Sequence, residues 1–323
     1  MPSDARLLLL DKDQVEKLIL ADDVLQAVRE AFVLHSRGGG RVFPTVREHL
    51  AVGGIFGIKS GDISDRGLLG FKAGGFWPSN RRIGGEPHQA TVVLIDPANG
   101  RPLCIIDGNA ITTVRTGAAG GLGVVELARP DSVRACVFGT GVQARAQLTF
   151  ALQLMPLLRR IRYVTSNGLQ DTAFESYFAG RCEISLAPDR NAAVAESDVV
   201  VTATPGAGAL FELGAVRPGT HFNCVGADTK GKRELPEGLL ERARLFVDDR
   251  VQAQQIGETQ WAPDQPNTEF GELLSGRVSA DRKASDITIF DMTGLALQDL
   301  AVARLVHDRA VARGMGVSVA WPW

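Results

Sequence analysis

Residues 133–150, VRACVFGTGVQARAQLTF, constrain the fold more than any other stretch of the chain. An apolar, strand-like run enters a glycine turn, and a helix-like run leaves it. Gly139-Thr140-Gly141-Val142-Gln143-Ala144 matches the spacing G-x-G-x-x-A. At that spacing Gly139 permits a tight turn and Gly141 lets backbone approach a pyrophosphate. Ala144 lets the helix lie close to the strand, and the helix N-terminus favours an anion. The rhythm continues downstream, with strands expected at 133–138, 161–165, 198–203, 220–225, 244–248 and 287–291 and helical stretches between several of them. Such alternation implies a Rossmann-type, doubly wound parallel sheet, and in that context the turn reads as a dinucleotide site.

The end of the second strand reports on the dinucleotide. An acid there binds ribose hydroxyls, and an arginine favours a 2′-phosphate. The chain offers Thr165, Ser166 and Asn167, with the first acid at Asp171 and Arg145 in the first helix. No arginine follows Asn167 at once, so NAD is the expected cofactor, with NADP the alternative.

Upstream the pattern changes. Residues 11–36 are expected to be helical, with Asp11 as cap and Val24, Leu25, Val28, Ala31 and Phe32 at helical spacing. Within 41–107, GIFGIKSG, LLGFKAGGFW and ATVVLIDPANGRPLCIID read as antiparallel strands, with PANG a turn. NAITTVRTGAAGGLGVVELARP reads as a helix ended by Pro130; Gly117, Gly120, Gly121 and Gly123 within it suggest close packing on another backbone. A closing helix is expected over about 294–314. The expected organisation is a mixed α+β substrate-binding and dimerisation domain, 1–115, then a dinucleotide-binding domain, 116–299. A C-terminal helical segment, 300–323, is expected to pack back on the first.

Composition narrows the class. A net charge of −2 gives no reason to expect nucleic acid or an acidic membrane as partner. Cys104, Cys136, Cys182 and Cys224 form no C-x-x-C pair, which supports neither a metal knuckle nor disulfides and suits a reducing cytoplasm. RLLLLDKDQVEKL is too short in its apolar run for a signal segment, and no stretch approaches the roughly 20 apolar residues of a membrane span.

Six segments, GFKAGGFWPSN (70–80), DPANGRPLCIIDG (96–108), TTVRTGAA (112–119), FGTGVQARAQ (138–147), SDVVVTATP (197–205) and HFNCVGADTKGKREL (221–235), together resemble the ornithine cyclodeaminase/mu-crystallin family. The resemblance implies a homodimer, a Rossmann domain for NAD(H) or NADP(H), and an amino acid or its imine as substrate. It implies Lys72 as the active-site lysine, Arg115 as the arginine gripping the substrate carboxylate, and Asp228 as the catalytic acid. Arg47, in the looser FPTVREHL, is implied as a second carboxylate-binding arginine. For the cofactor it implies Arg115 and Thr116 near the phosphates, Val142 and Gln143 on the glycine turn, and Thr204 at a strand end. Val225 is implied beneath the nicotinamide, with Thr293 and Gly294 closing its pocket.

One departure bears on the substrate. The ornithine-cyclising members carry a glutamate in the strand before GFK, where this chain has Gly57 with Lys59 nearby. A cation is unfavourable to a diamine, because like charges repel in a confined site. The expected reaction is therefore NAD(P)H reduction of an α-imino acid, or its reversal. Lys59, with Ser60 and Arg66 or Arg81, is expected to receive a second carboxylate, as in iminosuccinate, which gives aspartate. The alternatives are a cyclic ketimine reductase acting on pyrroline or piperideine carboxylates, an alanine dehydrogenase, an ammonia-eliminating cyclodeaminase and a non-catalytic nicotinamide-binding protein. His88 is either a proton relay or a structural hydrogen-bonder, Trp77 either lines the pocket or packs, and His221 is expected to cap or pack.

Overall fold

The computed structural model describes residues 5–206 and 208–321; the ends of the expected domains at 1–4 and 322–323, and residue 207, lie outside the described residues. In chain order the first part comprises β1 (Arg6–Leu10), α1 (Lys12–Leu18), α2 (Ala21–Ser36), β2 (Arg41–Val42), β3 (Val46–His49), β4 (Ile55–Ile63), β5 (Leu68–Phe76), β6 (His88–Ile95), β7 (Pro102–Asp107) and α3 (Gly108–Leu127). Then follow β8 (Arg134–Phe138), α4 (Val142–Leu154), β9 (Arg160–Val164), α5 (Thr172–Phe178), β10 (Glu183–Leu186), α6 (Arg190–Ala195), β11 (Val199–Thr202) and β12 (His221–Cys224). The chain closes with β13 (Arg244–Val247), α7 (Arg250–Ile256), β14 (Asn267–Glu269), α8 (Phe270–Leu274), β15 (Thr288–Asp291), α9 (Ala296–Arg313) and β16 (Val317–Ala320).

The chain divides into two compact units. One runs up to Arg115 and resumes at Leu295; the other is Thr116–Gly294. The expected boundary at 299/300 therefore moves. It falls inside α9, just as the division between Arg115 and Thr116 falls inside α3. The change comes instead at Gly294, whose φ of +87° suits a sharp turn before the helix.

In the first unit an eight-stranded sheet runs β16-β1-β7-β6-β5-β4-β2, with β3 also on β4. The helix expected over 11–36 is two helices, broken by extended backbone at Ile19 and Leu20. Asp11 caps α1 in a reciprocal box with Gln14, and Asp22 and Asp23 sit where a new helix N-terminus favours acids. The run RLLLL is a strand, parallel to β7 and antiparallel to β16.

β4 and β5 pair in a register that decides the site. Gly61 opposes Gly70, Lys59 opposes Lys72, and Gly57 opposes Gly74. A strand shows every second residue on one face, so these three pairs share a face. At Gly61 and Gly70 an added Cβ would lie 3.0 Å and 2.9 Å from Leu297 and Leu300 of α9, so the helix lies directly on the glycines. At Gly57 a Cβ would lie 2.8 Å from the Val46 carbonyl and 3.5 Å from the Arg47 side chain. The two lysines occupy the gap between.

The second unit is a parallel sheet ordered β10-β9-β8-β11-β12-β15-β13-β14. Alternation sorts its core onto two faces. Ala135, Val137, Val199 and Val201 join one apolar cluster, and Cys136, Phe138 and Val200 join the other. The glycines of α3 allow close packing: a Cβ at Gly117 would lie 2.9 Å from the Ala146 carbonyl, and one at Gly120 would overlap Gln147. Strand order reverses between β9 and β11 around β8, the switch point outside whose carboxyl ends such sheets bind ligands. Among the described residues no helix is long and apolar enough to cross a membrane.

Candidate active site

In the first unit four expected residues come together around one that sequence reasoning missed. Lys72 Nζ lies 2.9 Å and 2.8 Å from the two carboxylate oxygens of Asp299 and donates to Thr112 Oγ1 at 3.2 Å. Arg115 Nε donates to Asp299 Oδ1 at 3.1 Å, and its Nη1 donates to Gln298 Oε1 at 3.1 Å. Asp299 is 0% exposed, and Lys59, Lys72 and Arg115 are also buried.

Electrostatics ties the group together. Burial brings Lys72 down to about 8; Asp299 opposes that, and Arg115 and Arg47 add to it. Burial opposes ionisation of Asp299, but Arg115, Lys72 and Lys59 outweigh it and hold the carboxyl below its ordinary range. Four cationic side chains, Arg47, Lys59, Lys72 and Arg115, thus act around one carboxylate. Like charges directly opposite on neighbouring strands destabilise a sheet, and here both lysines act on the buried carboxylate of Asp299.

Other candidates take clearer roles. His88 Nδ1 lies 3.0 Å from Asn109 Oδ1, and burial and the Lys72 charge lower its pKa, which keeps it neutral. Trp77 packs over Gly54, where a Cβ would lie 2.6 Å from the indole. Arg66 is paired with Glu30 at 2.5 Å, and Arg81 lies over the Phe76 ring, so neither joins the cationic group as expected. His221 is fully buried between Thr288 and Asn223, and burial takes it down to about 4.

In the second unit the expected cofactor residues other than Thr116, which lies on α3, follow strands of the parallel sheet at its carboxyl edge. Gly139, Gly141, Val142 and Gln143 follow β8; Thr165, Ser166 and Asn167 follow β9; Thr204 follows β11; Val225 and Asp228 follow β12; Thr293 and Gly294 follow β15. Gly139 has φ +95°, and a Cβ there would lie 2.7 Å from the Ala203 carbonyl, so only glycine fits. A Cβ at Gly141 would meet nothing within 4 Å, and α4 begins there with no side-chain cap on its N–H groups. Gln143 Oε1 is buried without a hydrogen-bond partner. Open space and uncapped N–H donors fit a pyrophosphate.

At the end of β9, Thr165 Oγ1 donates to the Leu169 carbonyl at 2.9 Å, and Asn167 Oδ1 accepts from Leu169 N at 3.0 Å. Asp171 caps α5 and stays below its ordinary pKa through a Thr140 hydrogen bond. Asp228 pairs with Lys232 at 2.8 Å and accepts from Thr229 Oγ1 at 3.1 Å. Gln252 Nε2 donates to Thr293 Oγ1 at 2.6 Å and to the Gly294 carbonyl at 3.1 Å, while Thr293 donates to Asp248 at 2.6 Å. Glu234 also escaped sequence reading. Its Oε1 accepts from Thr204 N at 2.9 Å and Thr204 Oγ1 at 2.7 Å, and its Oε2 accepts from Gly226 N at 2.9 Å. Glu234 lies in the polar stretch DTKGKREL, where an acid looks solvent-facing, and its partners follow β11 and β12.

Comparisons with known proteins agree with this fold. The model of the ornithine cyclodeaminase/mu-crystallin family matches residues 6–314. Iminosuccinate reductase of Paracoccus denitrificans is 33% identical over 327 residues, covering 97% of this chain and 99% of the relative. A crystal structure of that enzyme with NAD+ has a TM-score of 0.90, at 30% identity over 98% of this chain and 100% of that one. An archaeal alanine dehydrogenase dimer with bound NAD has a TM-score of 0.91, at 31% identity over 98% of this chain and 100% of that one. Delta(1)-pyrroline-2-carboxylate reductase of Thermococcus litoralis, in complex with NADH and L-proline, has a TM-score of 0.89, at 27% identity over 97% of this chain and 100% of that one.

Proposed function

The chain belongs to the ornithine cyclodeaminase/mu-crystallin family, and on that premise we propose that it is an NAD-dependent oxidoreductase that reduces an α-imino acid to the amino acid, with a dicarboxylic imine such as iminosuccinate as substrate. The observation behind the substrate class is that Arg47 and Arg115 act on Lys72, and Arg115, Lys72 and Lys59 on the buried Asp299 carboxylate, so that four cationic side chains share one neighbourhood.

NADH, when bound, supplies a hydride to the imine carbon; the protein must supply the matching proton. Gly139, Gly141, Val142 and Gln143 hold the pyrophosphate at the start of α4, and Thr116, Thr165, Ser166, Asn167, Thr204, Val225, Thr293 and Gly294 complete the cofactor site. The guanidinium of Arg115 grips the substrate α-carboxylate through N–H groups left over from Asp299 and Gln298. Arg47 and Lys59 take the second carboxylate. Lys72 Nζ gives its proton to the substrate nitrogen, a task suited to a lysine brought near neutral pH by burial. Asp228 serves as a second acid. The absence of a carboxylate or arginine at the end of β9 leaves NAD recognition to small polar groups, in keeping with the NAD+ and NADH of the relatives. The protein acts as a homodimer in the cytoplasm.

The test is NADH oxidation with ammonia and either oxaloacetate or pyruvate, and with pyrroline-2-carboxylate. A kcat/KM for oxaloacetate plus ammonia at least tenfold above both others is expected. Preference for pyruvate assigns an alanine dehydrogenase instead. Ammonia release from ornithine without net cofactor change overturns the reductive reading.

A further inference from the structure

We propose that Asp299 is a positioning residue that keeps Lys72 a charged proton donor by giving it and Arg115 one shared anion. The inference rests on the reading of Lys72 as the donor. Among the described residues, the other charged side chains found to act on Lys72, Arg115 on α3 and Arg47 on β3, work against its charge; Lys59 stands opposite it on β4, and His88 on β6 is itself held low by burial and the Lys72 charge. Asp299 touches Lys72 with both oxygens, at 2.9 Å and 2.8 Å. Its place is rigid, because α9 seats Leu297 and Leu300 on Gly61 and Gly70. Without that anion a fully buried ammonium among cations loses its proton to water.

The sharing with Arg115 has its own consequence. When Lys72 Nζ gives up its proton it becomes a neutral amine, and the N–H bond lost there is formed at the substrate nitrogen. Asp299 then keeps Arg115 at 3.1 Å as its counter-ion. The donor can empty without leaving a buried carboxylate unpaired, a state that costs several kcal/mol. Gln298, the neighbour of Asp299 on α9, fixes the other edge of the same guanidinium.

The experiment reads Lys72 directly, by the pH dependence of its acetylation with limiting acetic anhydride, using exposed Lys230 as internal reference and peptide mass spectrometry. Wild type is expected to show a midpoint near 8. In Asp299→Asn the midpoint is expected to fall by about one pH unit or more, a roughly tenfold change in the ammonium-to-amine ratio. An unmoved midpoint overturns the proposal. Imine reduction by Asp299→Asn is expected to fall about twofold at pH 7 and nearly tenfold at about pH 9, and to recover in acid, which loss of folded structure does not do. If Asp299→Asn does not fold, Asp299→Glu carries the test. A retained midpoint supports the role of the carboxylate, and a fall of about one unit with the charge retained overturns it. The labelling result needs no substrate, so failure of the proposed reaction shows separately, as wild type inert toward every imine.

Discussion

Each unit buries carboxyl groups, and the two solve the cost of burial in opposite ways. In the first, Asp299 is compensated by charge, from Lys72, Arg115 and Lys59, and its pKa falls. In the second, Glu234, Glu258 and Asp291 are met by backbone N–H and hydroxyl donors, and their pKa values rise. Burial pushes Glu258 up to about 8, helped by Asp291, and pushes Asp291 up to about 7 against the hydrogen bonds of Thr259. Glu258 Oε1 accepts from Glu234 N at 2.6 Å, and Asp291 Oδ2 accepts from Thr259 N at 2.8 Å. Dipoles orient a buried carboxyl; a full opposite charge is needed to keep it ionised. The first arrangement suits proton transfer and anion binding. The second suits holding strand ends in place, since Glu234 ties Thr204 to Gly226 across neighbouring strands.

The contrast extends to pH. Asp299 and Lys72 both have lowered pKa values, so folding at that site releases protons and stability there rises with pH. Glu258 and Asp291 have raised values, so the folded state keeps protons that the unfolded chain loses. Their contribution is complete below the ordinary values of 4.5 and 3.8 and is lost as pH rises through about 8 and about 7.

The largest expected effect tests the charged site. Arg115→Lys keeps the charge but loses the fork that spans Asp299 and Gln298; kcat/KM for the imine should fall about a hundredfold, ~2.7 kcal/mol. A fall of less than about threefold would mean that charge alone suffices there. In the donor-held site, Glu234→Gln sets an amide N–H against an N–H donor. Chemical denaturation should show a loss of ~2 kcal/mol, with a raised KM for NADH. Lys59→Ala sharpens the comparison from the other side. It should lower kcat/KM about tenfold for a dicarboxylic imine and leave a monocarboxylic one within about twofold. Equal loss on both would mean that Lys59 serves Asp299 and not the substrate. The smallest effect is on pH dependence. Asp291→Asn should recover ~1 kcal/mol at pH 8 relative to pH 6, measured as hydrogen-exchange protection across 256–262, with protection of α9 unchanged.

Sequence periodicity showed much of this in advance. The strands of the parallel sheet were readable because a strand buried on both faces is an unbroken apolar run, and the glycine turn marked its ligand edge. Lys72 and Arg115 were found by motif, and the glycines of α3 by their cost within a helix. The break at Ile19 and Leu20 was not readable, because helical spacing continues across it while the two acids that follow start a new helix. Short strands such as β10 and β14 lack enough residues to show a period.

Sequence by itself determined the fold class and pointed to the glycine turn, Lys72 and Arg115, because each depends on residues near one another in the chain. Tertiary structure decided that Lys59 opposes Lys72, since register belongs to strand pairs and not to strands. It also decided that Asp299 is their counter-ion. The partners Lys72 and Asp299 lie 227 residues apart, and within α9 an aspartate beside a glutamine looks like an ordinary polar helix face. Only the seating of that helix on Gly61 and Gly70 turns the carboxylate inward, where it must be paired.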